Sequence, residues 1–376
     1  MMINGGPNPA DLPFDLSLFQ NNHSRGLPEE FVWPHKDLAP PHAPVPPLDM
    51  PLIDLGGFLS GDEGETSRAI ELMRAACMTH GFFLVTGHGV DRSLVDMAHD
   101  AADCIFRMPM SRKMGMRRKQ GSFWGYSVAH SDRFSSNLPW KETFSFGFGQ
   151  SGRTEGGNRE IVDYFTNVVG TDVEHLGLAY QKYCEAMKEV GLAIMELIAM
   201  SLGLEKGYYR RIFEKGSSIM RCNYYPPCER QELTLGTGPH CDPTSLTILH
   251  QDQVGGLQVF VDGKWQAVMP PRDAFVVNVG DTLMAMTNGM YKSCLHRAVV
   301  NRVKERRSLV FFMCPSEDQL ISPPPHLLRL DTDHIGRKYP DFKWSQLLNF
   351  TQSHYRADVS TLQSFIQTLP SPPATP

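Results

Sequence analysis

The stretch Gln258-Val259-Phe260-Val261-Asp262-Gly263-Lys264-Trp265-Gln266-Ala267-Val268 decides the fold class of this chain. Two runs of residues that favour strands flank the dipeptide Asp262-Gly263. That dipeptide supplies the positive φ angles that the two central residues of a type I′ turn require. The stretch therefore predicts a β-hairpin.

Further short strands surround the hairpin, and the apolar pattern has a period of two from Gly216 onwards. Phe275-Val276-Val277-Asn278-Val279 reads as a strand that ends at Gly280-Asp281, and Asn288-Gly289 marks another turn. Ser308-Leu309-Val310-Phe311-Phe312-Met313 closes the series. Short strands joined by tight turns over about a hundred residues are typical of a β-sandwich or barrel.

The chain before Gly216 is predicted to be rich in helices. Thr66 to His80 and Glu174 to Leu202 have the composition and spacing of helices, and a capping box at Ser93 to Asp96 predicts the start of another. Phe82-Phe83-Leu84-Val85-Thr86 predicts a buried strand between two of them. A shorter helix is predicted after the β region.

Proline is concentrated at the two ends of the chain, with eleven of the 28 prolines between Pro7 and Pro51 and four in the last seven residues. Such segments are extended or disordered by composition. We therefore predict five regions. They are a disordered proline-rich segment (1–49), a helix-rich region (50–215), a β core (216–316), a helical C-terminal region (317–365) and a proline-rich tail (366–376).

Composition excludes several classes of protein. With 41% hydrophobic and 20% charged residues in 376, the chain is neither disordered, fibrous nor a coiled coil. A net charge of −5 disfavours nucleic-acid binding, and no apolar run reaches the length of about 18 residues that a membrane helix needs. Eight cysteines without a Cys-x-x-Cys pair, and no secretory signal, predict free thiols in the cytoplasm.

The first candidate for chemistry is His240-Cys241-Asp242 together with His296. Residues i and i+2 of a strand point to the same face, so His240 and Asp242 would aim together. With His296 they would place two imidazoles and one carboxylate on one side of a metal, as in non-haem Fe(II) oxygenases. Alone, however, the His-x-Asp triplet is common, and a histidine is more often an ordinary core or surface residue.

Two further pairs share a strand face. Arg306 and Ser308 form one, and Asn223 and Tyr225 form the other. A buried guanidinium and hydroxyl are costly without an anionic partner, and a dicarboxylate would satisfy both. Two alternatives remain open at this point. Arg306 also belongs to the charged run 302–307, which would be solvated, and Tyr225 would serve as an ordinary strand aromatic.

Taken together, Asn-x-Tyr, His-x-Asp, His and Arg-x-Ser in this order resemble the plant 2-oxoglutarate- and Fe(II)-dependent dioxygenases, over residues 50–365. The run Gly255-Gly256-Leu257-Gln258-Val259 is similar to theirs. Within the family, 138–143 (Leu-Pro-Trp-Lys-Glu-Thr) and 218–228 are similar to hallmark runs of the gibberellin 20-oxidase group. The chain then continues Glu229-Arg230-Gln231 where the group often has Gln-Lys-Pro, in a predicted loop.

The resemblance implies an α+β fold whose double-stranded β-helix, or jelly-roll, core is flanked by helices. It implies Fe(II) bound by His240, Asp242 and His296. It also implies that Arg306 and Ser308 hold the distal carboxylate of 2-oxoglutarate, with Tyr225 and Asn223 beside them. No protein general acid or base is assigned.

The reaction implied by the resemblance consumes 2-oxoglutarate and O₂, with ascorbate as reductant. A ferryl species oxidises carbon-20 of gibberellin precursors in successive steps that end in loss of that carbon. The substrate would be a small diterpenoid acid, and the protein a monomer without nucleic-acid or membrane partners. Candidate substrate residues are Tyr126, Arg133, Trp140 and Lys141, with Arg133 or Lys141 paired to a substrate carboxylate.

Three alternatives are kept. A related dioxygenase could act on another gibberellin carbon or on a flavonoid with the same metal and 2-oxoglutarate residues. A zinc hydrolase could also use two histidines and an aspartate, but it would not account for Arg306, Ser308 and Tyr225. A non-catalytic small-molecule binding module is the third, and the intact His/Asp/His set disfavours it.

Overall fold

The structure is a computed structural model that describes Leu16 and residues 26–38, 45–119, 121–149, 159–269, 272–328, 337–354 and 361–369. These residues form ten α-helices and fourteen strands. None of the helices in this part of the chain combines the length and hydropathy needed to cross a bilayer.

Helices dominate the first part of the chain, as the sequence predicts. In order, the elements are β1 (Leu52–Asp54), α1 (Gly56–Ser60), α2 (Glu63–Thr79), β2 (Phe82–Thr86), α3 (Arg92–Phe106), α4 (Met110–Gly115), β3 (Gly125–Val128), β4 (Glu142–Phe148), α5 (Glu160–Val168), α6 (Glu174–Ser201) and α7 (Gly207–Phe213). The capping-box prediction is wrong in one respect. The side chain that caps α3 is Asp91, which accepts a hydrogen bond from the Ser93 amide at 2.7 Å.

Strands dominate the second part. In order, these elements are β5 (Ser218–Tyr225), β6 (Thr237–His240), β7 (Leu246–Gln251), β8 (Leu257–Val261), β9 (Lys264–Ala267), β10 (Phe275–Val279), α8 (Asp281–Met286), β11 (His296–Ala298), β12 (Arg306–Met313), β13 (Leu320–Ile321), β14 (Phe342–Lys343), α9 (Trp344–His354) and α10 (Thr361–Thr368). The predicted hairpin is β8–β9, and its turn residues Asp262 and Gly263 have φ angles of 51° and 75°.

The strands assemble into two facing sheets and a small third one. The major sheet has eight strands in the order β1-β2-β10-β7-β12-β5-β4-β3, and the minor sheet has four in the order β6-β11-β8-β9. We call the side of the major sheet that faces the minor sheet its inner face. Phe82, Leu84 and Val276 of the major sheet pack there against Leu257 and Val259 of the minor sheet. This is the predicted jelly-roll core.

The other side of the major sheet, its outer face, packs against helices. There the Cys222 thiol of β5 lies 3.1 Å from the Tyr180 hydroxyl of α6. Because paired residues of neighbouring strands share a face, each row across the sheet belongs to one side. One inner row runs through Leu84, Val276, Leu249, Val310, Arg221 and Ser145.

The prediction that residues 1–49 are disordered is wrong for the parts of that segment that the structure describes. Phe31 is fully buried, and the Trp33 indole donates to the Leu138 carbonyl at 3.2 Å. The Leu48 amide donates to the Ala267 carbonyl at 2.8 Å. Short 3₁₀-helices, Glu29–Phe31 and His35–Asp37, each follow a proline in this segment, and its apolar residues bury their side chains on the core.

The proline-rich tail was predicted to begin at residue 366, and this boundary is wrong because α10 continues to Thr368. Leu362 and Phe365 of this helix are buried, which explains why it extends past the predicted boundary. The other residues of the two predicted terminal segments, 1–15, 17–25, 39–44 and 370–376, lie outside the described part of the chain.

Candidate active site

Two histidines face each other on neighbouring strands of the minor sheet. The register of β6 and β11 pairs His240 directly with His296, and their ring centroids lie 4.2 Å apart. The Asp242 carboxylate lies 3.5 Å from His240 Nε2 and 3.7 Å from His296 Nε2. One potential ligand atom from each residue lies within 4.8 Å of the other two, which is compact enough to hold a metal ion.

Asp242 was predicted to share a strand face with His240, but the structure places it beside the histidines in another way. Strand β6 ends at His240, so Asp242 lies in the following loop and not on the strand. Its Oδ2 accepts hydrogen bonds from Thr247 Oγ1 at 2.6 Å and from Asn278 Nδ2 at 3.0 Å. Its carbonyl accepts from the Asp281 amide at 2.7 Å. The major sheet therefore orients the carboxylate toward the minor sheet.

Thr247 and Asn278 were missed by the sequence analysis. Each is a polar residue between two apolar neighbours of its strand and lies on the inner face of the major sheet, where it is buried. A polar side chain at such a position needs a hydrogen-bond partner. A polar residue between apolar strand neighbours is the only signal that the sequence offers here, and it does not reveal which partner the residue contacts.

The two imidazoles are oriented as metal ligands. His240 Nδ1 lies 2.8 Å from the Gly238 carbonyl, and His296 Nδ1 lies 3.2 Å from the Cys294 carbonyl. Because a carbonyl only accepts, each Nδ1 carries a proton, and Nε2 is the nitrogen that is left to bind a metal. Burial, together with the charge of His240, lowers the pKa of His296 to about 4, so this ring is neutral near pH 7.

Asp242 remains ionised in the same place. Burial alone would raise the pKa of its carboxyl group, but the neighbouring His296 and His240 and the Thr247 hydroxyl hold the pKa below its ordinary value. Two imidazoles and one carboxylate form a donor set that suits Fe(II), and three protein ligands on one side leave other coordination positions open. The residues therefore fit an oxygenase metal.

A second group of polar residues lies where β5 and β12 pair. The register places Arg306 opposite Tyr225 and Ser308 opposite Asn223. The Asn223 amide donates to Ser308 Oγ at 3.1 Å, and the Arg306 guanidinium carbon lies 4.7 Å from the Tyr225 ring centroid. We call these four residues the anion pocket.

Arg306 does not belong to a solvated run. Its side chain is 1% exposed, whereas Arg302 to Lys304 are exposed, so the interpretation of 302–307 as one solvated segment is wrong. The strand begins at Arg306, and its pleat turns this side chain inward. Gln251, which the sequence analysis missed, accepts from Arg306 Nη2 at 2.6 Å.

The anion pocket fits a carboxylate. Within the described part of the chain, Arg306 Nε and Nη1 and Asn223 Oδ1 have no hydrogen-bond partner, although all three atoms are buried. Unpartnered buried donors on a cation are strongly unfavourable unless a ligand accepts from them. A carboxylate would accept two parallel N–H groups from one edge of the guanidinium, either Nε with Nη2 or Nη1 with Nη2, in the bidentate geometry that arginine favours.

Of the four predicted substrate residues, Tyr126 is placed on the wrong side of the sheet. It pairs with Phe144, whose ring packs on Phe165 of α5, and so it faces the helices. Its hydroxyl donates to Glu142, which also pairs with Lys113 at 2.7 Å. The pleat of β3 turned this side chain outward, which the sequence alone did not reveal.

The other three predicted substrate residues lie at different places. Trp140 packs edge-on against Phe31, with ring centroids 5.1 Å apart. The Arg133 guanidinium carbon lies 5.2 Å from the Phe123 ring centroid, and its Nη2 donates to the Ser122 carbonyl. Lys141 is buried near the anion pocket, 5.9 Å from the Tyr225 ring centroid.

Two family models match the chain. Residues 216–315 match the 2OG-Fe(II) oxygenase superfamily, and residues 50–161 match the non-haem dioxygenase in morphine synthesis N-terminal family. The first description names both Fe(II) and 2-oxoglutarate, in agreement with the donor set and the anion pocket.

Curated relatives match over almost the whole chain. Gibberellin 20 oxidase 2 from Oryza sativa subsp. indica is 54% identical over 348 residues, which cover 93% of this chain and 86% of that protein. Gibberellin 20 oxidase 3 from Arabidopsis thaliana is 52% identical over 352 residues, which cover 94% of this chain and 91% of that protein.

Solved structures match the fold. The crystal structure of JOX2 in complex with 2OG, Fe and JA has a TM-score of 0.78 and 28% identity, and covers 95% of this chain and 98% of that one. The dioxygenase for auxin oxidation in rice has a TM-score of 0.68 and 27% identity, and covers 84% of this chain and 99% of that one. The matched models, the relatives and the site geometry agree, and this chain belongs to the 2-oxoglutarate- and Fe(II)-dependent oxygenase superfamily and, within it, to the gibberellin 20 oxidase family.

Proposed function

We propose that the protein oxidises gibberellin precursors at carbon-20 in successive steps that end in loss of that carbon, with Fe(II) as metal and 2-oxoglutarate and O₂ as co-substrates. The observation that carries this proposal is the 54% identity to the rice gibberellin 20 oxidase 2 over 86% of its length. The buried His/Asp/His set and the anion pocket support it, because both are requirements of the chemistry.

In this proposal His240, Asp242 and His296 hold the metal. When bound, Fe(II) activates O₂ with electrons supplied by 2-oxoglutarate, which is converted to succinate and CO₂. Thr247 and Asn278 occupy Oδ2 of the aspartate, so the protein presents one well-oriented oxygen of that carboxylate. The carbonyls at Gly238 and Cys294 keep both imidazole rings in the tautomer that binds through Nε2.

Arg306 and Ser308 bind the distal carboxylate of 2-oxoglutarate, and Tyr225 and Asn223 position them. The guanidinium offers two N–H donors, and stacking on Tyr225 holds its plane. Gln251, on the neighbouring strand, accepts from Nη2 and so holds the guanidinium in place. Strand β7, whose Thr247 holds the Asp242 carboxylate, pairs with β12, which carries Arg306 and Ser308, so one sheet holds both this metal ligand and the anion pocket.

Apolar residues exclude water from the metal side of the core. The Phe82 ring lies edge-on to His296 with centroids 5.6 Å apart, and Val259, the direct strand partner of His296, is fully buried. A dry site strengthens the electrostatic contacts around the metal and limits side reactions of oxidising species.

The proposed substrate is a small diterpenoid acid, and we propose that the protein acts as a monomer in the cytoplasm. All eight cysteines are free thiols, and six of them are buried, which supports a reducing compartment.

Incubation of the purified protein with Fe(II), ascorbate, 2-oxoglutarate and a panel of gibberellin precursors, followed by mass spectrometry, tests the proposal. We expect products oxidised at carbon-20 and one succinate for each oxidation step. Oxidation confined to another gibberellin carbon, or turnover of flavonoids alone, would favour the related-dioxygenase alternative. A zinc hydrolase would act without O₂, and a binding module would release no succinate with any precursor.

A further inference from the structure

Gln251 is the last residue of β7, the strand that pairs with β12 beside the anion pocket. The register places Gln251 directly opposite Ser308, and Ser308 in turn lies opposite Asn223 on β5. Directly paired residues of antiparallel strands share a face, and their Cβ atoms lie about 4.5–5.5 Å apart. Gln251, Ser308 and Asn223 therefore form one row on the inner face of the major sheet.

The orientation of the Gln251 side-chain amide follows from its contact with Arg306. One end of the amide lies 2.6 Å from Arg306 Nη2. Because a guanidinium only donates hydrogen bonds, the end that faces it is the oxygen, Oε1. The amide nitrogen, Nε2, is consequently directed away from Nη2.

This nitrogen has no acceptor in the described part of the chain, although the atom is buried and the Gln251 side chain is only 3% exposed. The preceding residue of β7 on the same face is Leu249, whose side chain cannot accept a hydrogen bond. A buried N–H without an acceptor is unfavourable unless a ligand or an ordered water accepts from it. Gln251 therefore carries a donor that the folded chain leaves unused.

Ser308, the strand partner of Gln251, also has a donor to offer. Its Oγ accepts a hydrogen bond from the Asn223 amide at 3.1 Å. A hydroxyl that accepts in this way keeps its own hydrogen for donation to another group. Donors from two neighbouring strands, β7 and β12, are thus available in the same row.

A carboxylate has enough acceptor sites for all of these donors. Its two oxygens together accept about four hydrogen bonds. One edge of the Arg306 guanidinium would supply two of them and the Ser308 hydroxyl a third, which leaves one site for a further donor. Gln251 contacts Arg306 and lies opposite Ser308, so its unused N–H is placed beside a carboxylate that both of them hold.

We propose that Gln251 is a fifth residue of the anion pocket and that its Nε2 donates to the distal carboxylate of 2-oxoglutarate. The inference rests on the proposed function, because it names a residue that binds the co-substrate of that reaction. Gln251 then makes two separate contacts, since its oxygen holds Arg306 and its nitrogen holds the ligand. An experiment can distinguish the second contact from the first.

The test replaces Gln251 by methionine, which has a similar length but no N–H donor. The ligands are 2-oxoglutarate and 2-oxobutyrate, a 2-oxo acid without the distal carboxylate. Dissociation constants are measured with Fe(II)-loaded protein under nitrogen, from the visible absorbance of the 2-oxo acid chelated to the metal. We expect Gln251→Met to weaken 2-oxoglutarate binding by about tenfold or more, the effect of removing one hydrogen bond to a charged group. Binding of 2-oxobutyrate should change less than twofold, because this ligand has no group at Gln251.

A double-mutant cycle separates donation to the carboxylate from support of Arg306. The Arg306→Lys variant has no guanidinium for Gln251 to hold. If Gln251 acted only through the guanidinium, adding Gln251→Met to Arg306→Lys would change 2-oxoglutarate binding less than twofold. We expect a further loss of about tenfold instead, because the carboxylate still loses the amide donor.

Gln258→Met is the matched control. Gln258 is also a buried glutamine, and its Oε1 accepts from Nε of the buried Arg297 at 2.8 Å. It lies on β8 of the minor sheet, next to Val259, which packs between the two sheets, so the Gln258 side chain points to the opposite face. This variant loses a comparable contact and should bind 2-oxoglutarate within twofold of the wild type.

Circular dichroism checks that each variant is folded. If Gln251→Met does not fold, Gln251→Glu carries the test, because it keeps the length of the side chain and an oxygen for Arg306 but turns the donor into an anionic acceptor. It should also weaken 2-oxoglutarate binding by at least about tenfold and leave 2-oxobutyrate binding within twofold.

Three results would overturn the proposal. They are 2-oxoglutarate binding within twofold of the wild type in a folded Gln251 variant, no further loss in the Arg306→Lys background, and an equal loss of 2-oxobutyrate binding, which would place the effect at the metal. If the wild-type protein binds no 2-oxoglutarate at all, the proposed function fails, and not the role of Gln251 alone.

Discussion

Replacement of Arg306 by lysine should weaken 2-oxoglutarate binding far more than the retained positive charge suggests. The guanidinium donates one N–H to Gln251, and two more N–H groups, at Nε and Nη1, have no partner within the described chain. Either donor forms one edge of the guanidinium with the remaining N–H of Nη2, and such an edge can hold both oxygens of one carboxylate. An ammonium cannot reproduce that geometry and also reach Gln251.

The expected loss of 2-oxoglutarate affinity follows from one hydrogen bond to the carboxylate that the arginine forms and a lysine does not. Removing one hydrogen bond between charged groups costs about 1.5–3 kcal/mol, which corresponds to a dissociation constant raised by roughly 10- to 150-fold. We expect Arg306→Lys to raise the dissociation constant and the KM for 2-oxoglutarate within that range. kcat at saturating 2-oxoglutarate should fall less, because the metal ligands are unchanged.

Calorimetric titration of Fe(II)-loaded protein with 2-oxoglutarate under nitrogen measures this directly. Arg302→Lys is the matched control, since it makes the same change at an exposed position and should bind like the wild type. If Arg306→Lys binds 2-oxoglutarate within twofold of the wild type while it remains folded, the assignment of the anion pocket is wrong.

The remaining predictions concern the metal ligands, a buried histidine pair and the outer face of the sheet. Asp242→Ala should abolish product formation and stoichiometric Fe(II) binding, measured by mass spectrometry and metal analysis, and full turnover would contradict the ligand set. Asn278→Ala should weaken Fe(II) binding by about 10- to 100-fold in a competition titration, because the carboxylate loses a positioning hydrogen bond. His99 Nε2 lies 2.7 Å from His250 Nδ1, and burial, followed by the charge of His250, lowers the pKa of His99 to about 3. The unfolded chain therefore binds a proton on His99 at a higher pH than the folded protein does. The free energy of unfolding should consequently fall as pH drops below about 6.5, by about 2 kcal/mol between pH 7 and pH 5. His99→Gln should reduce this pH dependence in urea titrations, and an unchanged pH dependence would exclude His99 as its source. Tyr126→Phe should leave the KM for the gibberellin precursor within twofold of the wild-type value, and a large increase would show that this residue contacts the substrate after all.

Local patterns were sufficient to place most strands and helices. The Asp262-Gly263 turn and the strands on either side of it are specified by residues that are neighbours in sequence. The same is true of α6, whose buried stripe repeats at helical spacing. The errors lie where a distant partner changes the outcome. Phe31 and Trp33 follow prolines in a segment that composition marks as disordered, and they are ordered by packing and hydrogen bonding with residues about a hundred positions away.

In the candidate site, too, some residues could be found from the local sequence and others only from their partners in the fold. Residue type and spacing made His240, Asp242, His296, Arg306 and Ser308 candidates, and the family resemblance supplied their predicted roles. Thr247, Asn278 and Gln251 were not identified, because a threonine, asparagine or glutamine acquires a role only through the partner that it contacts. Tyr126 was chosen because it lies near a hallmark run, but the pleat of β3 placed it on the outer face.

The sequence by itself determined which residues can bind a metal and an anion, and which segments form strands, because both depend on residue type and short-range periodicity. Only the tertiary structure decided that β6 pairs with β11 in the register that places His240 opposite His296, and that Arg306 is buried with unused donors. Strand order and register arise from contacts between residues far apart in the chain, and no local pattern encodes them.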